Sequence, residues 1–224
     1  MKPDPPPLYE HGFAEQYDSA NTRGLTGWVM RAGHRLLEES FGPQQKFDRV
    51  IEVGVGTGAH FEFVRHAYDE YLMTDSNQAM LDVAQSRYPA STNVRHQLQN
   101  AAQLDLPDHS FDRLIASHVL EHLTNPHIVL REWCRVLKTG GMLSLILPCD
   151  PGLLWRFGRT LGPRRQATRR GFAYDYVMAR DHVNSITNLL ALVRYYWDDR
   201  REVWWPSRVP FSDANLIYVA NVRV

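Results

Sequence analysis

The sequence has little cysteine, no net charge and no long apolar run. It has two cysteines among 224 residues, Cys134 and Cys149, so a disulfide framework is not expected and a reducing compartment is favoured. The 25 basic and 25 acidic residues cancel, which argues against a global attraction to nucleic acid or to an anionic membrane but leaves room for a local patch. No apolar run approaches the ~18 residues that cross a bilayer, and the N-terminal residues lack the apolar centre of a signal peptide. We therefore expect a cytoplasmic protein without a transmembrane segment.

Short apolar segments alternate with helical patterns along the middle of the chain. Apolar runs predict five strands, at 49–53, 70–74, 94–98, 111–116 and 142–147. Apolar stripes predict helices within 22–40 and at 59–67, 77–87, 128–137 and 181–197. Asp181 would cap the last helix, 152–171 would be loop with short helix, and 203–205 and 216–222 would be closing strands. This alternation predicts an α/β fold with a parallel sheet and right-handed crossovers.

A glycine-rich bend follows the first predicted strand. Three glycines form it, Gly54, Gly56 and Gly58. Glycine permits positive φ and lets a ligand lie against bare backbone, and a helix at 59–67 would place its N-terminus behind the bend, where it favours an anion. The bend also fits a dinucleotide pattern that ends at Ala59, with Asp75 about 20 residues on. Taken alone, the bend leaves a nicotinamide cofactor and a purely structural turn open.

Five segments resemble the motifs of class I S-adenosylmethionine-dependent methyltransferases. They are, in chain order, Glu52-Val-Gly-Val-Gly-Thr-Gly58, Asp75-Ser-Asn-Gln-Ala-Met-Leu81, Asn100-Ala-Ala-Gln-Leu-Asp-Leu-Pro107, Ser117-His-Val-Leu-Glu-His122 and Arg135-Val-Leu-Lys-Thr-Gly-Gly141. They cover roughly residues 48–148 in the family's order, and the pattern is similar to the methyltransferase type 11 group. The resemblance favours S-adenosylmethionine over a nicotinamide as the cofactor.

This resemblance implies a Rossmann-like three-layer sandwich, with a mostly parallel seven-stranded sheet and an antiparallel C-terminal strand. It implies one domain over 1–224, made of a tail and lid helix (1–46), a cofactor-binding core (47–148) and an acceptor-side insertion with closing strands (149–224). The implied function is transfer of a methyl group to a small-molecule, lipid-like or carrier-bound acceptor by in-line displacement. An NAD-dependent oxidoreductase and a catalytically silent binding protein of the same fold are the alternatives.

The resemblance also assigns cofactor-binding roles to single residues. Glu52 and the three glycines would hold the methionine end, and Asp75 would accept hydrogen bonds from the ribose hydroxyls. Further residues would flank the adenosine or the sulfonium, namely Ser76, Met80, Asn100, Ala101 and Ser117. Asn100 stands where relatives often carry aspartate, but its amide oxygen still accepts, and capping of a turn is its alternative role. Tyr17, in Phe13-Ala-Glu-Gln-Tyr-Asp18, resembles a segment that folds over the cofactor.

Candidate acceptor-side residues follow the fourth and fifth predicted strands. His118 and His182 are candidate general bases, and His118 is favoured because it stands at a strand end. Six arginines lie within 156–170 with no acid among them, and of these Arg164 and Arg165 are expected to bind an anionic acceptor, with a solvated surface as the alternative. His118 and His122 have helical chelate spacing, but no third ligand is evident, so no metal is expected. No nucleic-acid partner is expected either.

Overall fold

Seven strands form one sheet in the computed structural model, which describes residues 23–169, 171 and 173–224. The strands are β1 (Lys46–Val53), β2 (Ala67–Asp75), β3 (Val94–Leu98), β4 (Phe111–Ser117), β5 (Leu137–Pro148), β6 (Arg200–Pro206) and β7 (Asn215–Arg223). Their order across the sheet is β3-β2-β1-β4-β5-β7-β6. The first five strands pair in parallel, and β7 runs antiparallel to both β5 and β6. The predicted sheet, mostly parallel with an antiparallel C-terminal strand, is confirmed.

Helices cover both faces of this sheet. They are α1 (Gly24–Glu38), α2 (Gln78–Arg87), α3 (Pro126–Val136), α4 (Leu153–Leu161), α5 (Pro163–Arg169), α6 (Tyr174–Asp181) and α7 (Ile186–Tyr196). Buried side chains of α1 and α2 pack on one face, and those of α3 and α7 pack on the other, which gives the expected three layers. Within the described ranges, no helix is both long and apolar enough to cross a bilayer.

The central strands are buried on both faces, which explains their nearly continuous apolar sequence. On β1, Val50 faces the α1 layer and its neighbour Ile51 faces the α3 and α7 layer, and both are fully buried. On β4, Leu114 and Ile115 divide between the two faces in the same way. Each such side chain contributes about 1.5–3 kcal/mol by leaving water, so these strands fix the sheet and, with it, the positions of the loops at its carboxyl edge.

The helix predicted at 59–67 is wrong. That segment holds only a short 3₁₀ turn at Phe61–Phe63, and β2 already begins at Ala67. Tertiary contacts hold the turn, since the Phe61 ring lies 4.8 Å from the ring of Tyr71 and His60 is buried with its Nε2 3.1 Å from Glu38. The glycine bend therefore has no α-helix N-terminus directly behind it, and the expected helix-dipole contribution to anion binding is lost.

Two predictions about the C-terminal third also need correction. Residues 152–171, expected to be loop with short helix, form two helices, α4 and α5, over most of their length. Asp181 ends α6 rather than starting a helix, and α7 is capped by Ser185, whose side chain accepts from the N–H of Asn188. The break has a cause, because the N–H groups of Val183 and Asn184 donate to the carbonyl of Glu121 and draw the chain out of helical geometry.

Candidate active site at the carboxyl edge of the sheet

The glycine bend after β1 has three residues at positive φ, which glycine adopts without strain. A Cβ at Gly54 would lie 2.5 Å from Cγ2 of Val119, and one at Gly58 would lie 3.0 Å from the ring of Tyr88. A Cβ at Gly56 would meet no atom within 4 Å. Gly54 and Gly58 are thus required by packing within the protein, whereas the bare backbone of Gly56 borders open space in which a ligand can lie.

Asp75, the last residue of β2, connects that strand to the bend. Its Oδ2 accepts a hydrogen bond from the N–H of Gly56, and its Oδ1 accepts one from the N–H of Asn77, both over 2.8 Å. Burial raises the pKa of Asp75, and the backbone N–H donors partly offset that effect. Each carboxylate oxygen keeps a second lone pair, so the carboxylate can still accept from two ligand hydroxyls.

Ser117 supplies an unsatisfied hydroxyl at the same edge. It ends β4 one residue beyond the pairing of Ala116 with Val53, which places it opposite Gly54 at the start of the bend. Its Oγ is buried and has no hydrogen-bond partner among the described residues. A buried polar atom without a partner usually marks a place that a water or ligand fills. Together with the open backbone of Gly56, this hydroxyl fits a polar cofactor bound across the edge.

The loop after β3 is held by local hydrogen bonds. The amide oxygen of Asn100 accepts from the N–H of Ala102 over 2.9 Å, so Asn100 does cap a turn. The carbonyl of Ala101 accepts from the indole N–H of the fully buried Trp133 over 2.7 Å. These bonds fix the backbone on which an adenine ring would lie, and the second lone pair of the Asn100 oxygen leaves its predicted contact with adenine chemically feasible.

Other predicted cofactor residues are divided between the interior and the surface. Glu52 is buried, its Oε2 accepts from the Tyr71 hydroxyl over 2.7 Å, and burial raises its pKa. Met80 is buried in the packing of α2, while Ser76 is exposed next to Asp75. Tyr17 lies outside the described residues. The roles of these side chains towards a cofactor stay predictions.

The acceptor side of the edge carries a histidine–aspartate pair that the sequence did not single out. The Nδ1 of His182 lies 3.0 Å from Oδ2 of Asp150, two residues beyond β5, and each side chain is about 15% exposed. With Nδ1–H donating to the carboxylate, Nε2 is the ring nitrogen that can accept a proton. The ring of His122 packs edge-on against that of His182, with centroids 4.7 Å apart. The His182 ring is thus oriented and nearly buried, and its role as a general base stays a prediction.

His118 forms a second, longer histidine–carboxylate contact. Its Nδ1 lies 3.4 Å from Oε1 of Glu121, whose Oε2 is buried without a partner in the described part of the chain. Burial alone would raise the pKa of Glu121, but the hydrogen bond from His118 and the positive charge of a protonated His122 or His118 lower it. No group of three or more potential metal ligands occurs among the described residues. The role of His118 as a general base stays a prediction.

Asp175, which follows the arginine-rich segment in the chain, neutralises part of the positive charge of that segment. Arg164, on α5, donates to the Asp175 carboxylate through Nη2 over 2.6 Å and Nε over 3.0 Å. Arg165 is exposed and makes no ion pair with a described residue, and Arg170 lies outside the described residues. Binding of an anionic acceptor by Arg164 and Arg165 stays a prediction. Of the two, only Arg164 is already paired with a carboxylate of the described residues.

A buried ionic network, which no sequence pattern predicted, joins α1, β4 and the residues after the bend. The Glu38 carboxylate on α1 accepts from both Nη atoms of Arg113 on β4, over 2.7 and 3.0 Å. His60, just after the bend, lies 3.1 Å from Glu38, and its Nδ1 lies 3.1 Å from that of His34. Burial opposes ionisation of Glu38, but Arg113 and His60 lower its pKa to about 2. The network fastens the bend and α1 to the sheet.

The central part of the chain is similar to known proteins. Residues 51–145 match the family profile described as a methyltransferase domain. Over 142 residues the chain is 30% identical to the ubiquinone/menaquinone biosynthesis C-methyltransferase UbiE of Vibrio cholerae. The matched stretch is 61% of this chain and 54% of that protein. The UbiE protein of Azotobacter vinelandii is 32% identical over 61% of this chain and 55% of its own length. The chain thus spans about half the length of the curated relatives it matches.

Solved structures support the same fold. A possible histamine N-methyltransferase from Thermotoga maritima superimposes with a TM-score of 0.63 at 18% identity, over 94% of this chain and 96% of that one. Phosphoethanolamine N-methyltransferase 2 of Haemonchus contortus, solved with S-adenosyl-L-methionine, gives a TM-score of 0.66 at 16% identity, over 96% of this chain and 57% of that one. The comparisons thus show a methyltransferase-domain match over residues 51–145 and the fold of solved S-adenosylmethionine-dependent methyltransferases.

Proposed function

We propose that this chain transfers a methyl group from S-adenosylmethionine to a small-molecule or lipid-like acceptor. The observation that carries the proposal is the pairing of the open Gly56 backbone with the Asp75 carboxylate at the carboxyl edge of the sheet, where open α/β sheets bind their ligands. The relatives named for ubiquinone/menaquinone biosynthesis favour a quinone-like ring whose carbon accepts the methyl group. A cytoplasmic location and a single domain over 1–224 belong to the same proposal.

The cofactor-binding half of the proposal assigns each residue a contact. Bound S-adenosylmethionine supplies a methyl group on a sulfonium, which already carries a good leaving group. The bare backbone of the bend around Gly56 borders the amino-acid end, and Asp75 accepts from the ribose hydroxyls. Ser117 donates its hydroxyl to the cofactor from the end of β4, and the backbone around Ala101 borders the adenine. These contacts orient the donor so that its methyl group points to the acceptor side.

The acceptor-side half of the proposal names the base that removes a proton from the acceptor. A ring carbon that gains a methyl group must lose a proton, which needs a base on the acceptor side. His182 is proposed as that base because Asp150 orients its ring and leaves Nε2 as the accepting nitrogen. His118 is the alternative base, with a longer contact to its carboxylate. Arg165 is proposed to bind an anionic group of the acceptor.

Transfer of radiolabelled methyl groups tests this function. Purified protein is incubated with S-adenosylmethionine labelled in its methyl group, together with demethylated quinone precursors or pools of small metabolites. Label is expected in the acceptor, in the organic phase for a quinone-like compound, and the Asp75→Ala variant is expected to transfer far less at a limiting cofactor concentration. If the protein binds S-adenosylmethionine but no pool accepts label, the catalytic part of the proposal fails while the binding part survives.

A further inference from the structure

Helix α4 turns its apolar side chains towards solvent. Leu153, Phe157 and Leu161 are 64%, 62% and 53% exposed. They are spaced four residues apart, so they lie on one face of the helix. A helix that packs on a globular core normally buries such a stripe and exposes its polar residues. The reversal means that the packing of the described residues leaves this stripe without cover.

The opposite face of α4 is the one that contacts the protein. The ring of Trp155 lies 5.9 Å from that of His182, and a Cβ on Gly158 would lie 3.3 Å from Cδ2 of Leu216. The Arg159 guanidinium lies over the Trp155 ring at 5.0 Å. Because the contacts of Trp155 and Gly158 with other elements fix the rotation of α4, the outward direction of its apolar stripe follows from packing. They also place the stripe on the same helix that reaches the acceptor side of the site.

The loop between β6 and β7 extends the exposed apolar surface. The N–H of Leu153 donates to Asp213 over 2.9 Å, which brings that loop to the start of α4. Val209 and Phe211 in the loop are both more than half exposed. We call the five exposed side chains the α4 patch: Leu153, Phe157, Leu161, Val209 and Phe211.

The segment that carries α4 and α5 is rich in arginine, although the whole chain has no net charge. Three of the arginines, Arg156, Arg165 and Arg169, are exposed and form no ion pair with any described residue. In the same segment Arg159 and Arg164 contact Asp175, so part of the positive charge is compensated and the rest faces solvent. An outward apolar stripe beside uncompensated cations is the pattern of a helix that lies in the interface of an anionic membrane.

We propose that the α4 patch docks this protein on an anionic membrane surface, with the apolar side chains among the acyl chains and the free arginines at the headgroups. A second copy of the chain fits less well, because a two-fold interface would bring the same arginines against each other. Docking would hold the acceptor side of the site next to the bilayer through the contact of Trp155 with His182. The proposal concerns a binding surface and does not depend on methyl transfer.

Co-sedimentation with lipid vesicles tests the docking. Full-length protein is mixed with vesicles of phosphatidylcholine, with or without phosphatidylglycerol, at increasing salt. One variant, Leu153→Ser/Phe157→Ser/Leu161→Ser, removes the apolar stripe without changing charge. A second, Arg156→Gln/Arg165→Gln/Arg169→Gln, removes the free cations. Tyr195→Ser, at an apolar position of α7 that is 82% exposed, is the matched control.

The wild-type protein is expected to bind phosphatidylglycerol vesicles, and binding should weaken as salt rises. The serine variant should bind at least about tenfold more weakly, the glutamine variant should lose its preference for phosphatidylglycerol, and the control should bind like the wild type. Two outcomes overturn the proposal. One is equal vesicle binding by the wild type and the serine variant, which would be the result if another part of the chain covered the patch. The other is that the wild-type protein sediments as a dimer while the serine variant sediments as a monomer. Either result leaves the binding of S-adenosylmethionine, and so the proposed function, untouched.

Discussion

The backbone N–H of Gly56 donates to Oδ2 of Asp75 over 2.8 Å, which ties the bend after β1 to the last residue of β2. The donor is on a residue whose Cβ position is empty, and the acceptor is a carboxylate with lone pairs to spare. A ligand that lies across both strands therefore meets bare backbone and an oriented carboxylate within one small region. The predictions for cofactor binding rest on this contact.

Replacement of Asp75 should weaken binding of the donor and of its demethylated product equally. Both carry the same ribose, and Asp75→Asn removes the charge that strengthens its hydrogen bonds to the hydroxyls. The expected loss is about 1.5–3 kcal/mol, or about ten- to hundredfold in Kd, by calorimetry. Asp82→Asn, on the exposed part of α2, is the control and should bind normally. Unequal losses for donor and product would mean that Asp75 does not contact their shared part.

The glycines of the bend should differ in what alanine does to them. Gly54→Ala places a Cβ 2.5 Å from Val119, so it should destabilise the fold, and Val119→Ala in the same chain should restore part of the loss. Gly56→Ala adds only the cost of positive φ, about 1–2 kcal/mol, but intrudes on the ligand space and should weaken cofactor binding. Urea unfolding and calorimetry separate the two effects. A Gly56→Ala protein with normal cofactor affinity would exclude the backbone contact.

The His182–Asp150 pair should act as a unit in turnover. His182→Ala is expected to lower kcat by about 10²- to 10⁴-fold with little change in the Kd of the donor, because the ring contacts the acceptor side. Asp150→Ala should also lower kcat, and the double variant should be no slower than His182→Ala alone. His118→Ala provides the comparison. A large loss in His118→Ala together with an active His182→Ala would assign the base to His118.

The buried Glu38–Arg113 pair should make stability depend on acid pH. Glu38 has a pKa of about 2 in the folded state against an ordinary 4.5, so its contribution is complete above about pH 4.5 and is lost as pH falls towards about 2. Glu38→Gln should lower the free energy of unfolding near pH 7 by about 3 kcal/mol, and its difference from wild type should shrink over that pH window.

Asp69→Asn is the control for that experiment, since it breaks an exposed pair with Lys46 at a comparable distance of 2.7 Å and should change stability little. Chemical denaturation across the pH range provides the measurement. A difference between wild type and Glu38→Gln that stays constant down to pH 2 would contradict the assignment of the buried charge.

Much of the fold could be predicted from sequence because its elements are strongly patterned. The buried strands appear in the sequence as apolar runs, and the family resemblance implied a mostly parallel seven-stranded sheet with an antiparallel C-terminal strand. The helix after the bend was mispredicted because tertiary contacts of His60 and Phe61 outweigh local helix preference there. The boundary near Asp181 was misplaced for a similar reason, since two hydrogen bonds to the Glu121 carbonyl break the helix and no local sequence signal announces them.

The residues of the candidate site also divide into those that the sequence could predict and those that it could not. Positions carried by motifs, such as Asp75 and Ser117, could be named from sequence because their spacing follows the strand ends. Asp150 was missed, although its place directly after a strand at the carboxyl edge was a usable signal. The partner of Glu38 could not be foreseen, because Arg113 is 75 residues away in the chain and meets it only through packing of α1 on the sheet.

Isothermal titration of the purified protein with S-adenosylmethionine and, separately, with NAD tests the central claim most directly. The edge built from Gly56, Asp75 and Ser117 predicts saturable binding of S-adenosylmethionine with one site per chain, weakened in Asp75→Asn, and no binding of NAD at the same concentrations. Heat from NAD alone, or no heat from S-adenosylmethionine and its demethylated product, would contradict the assignment of this edge as the donor site.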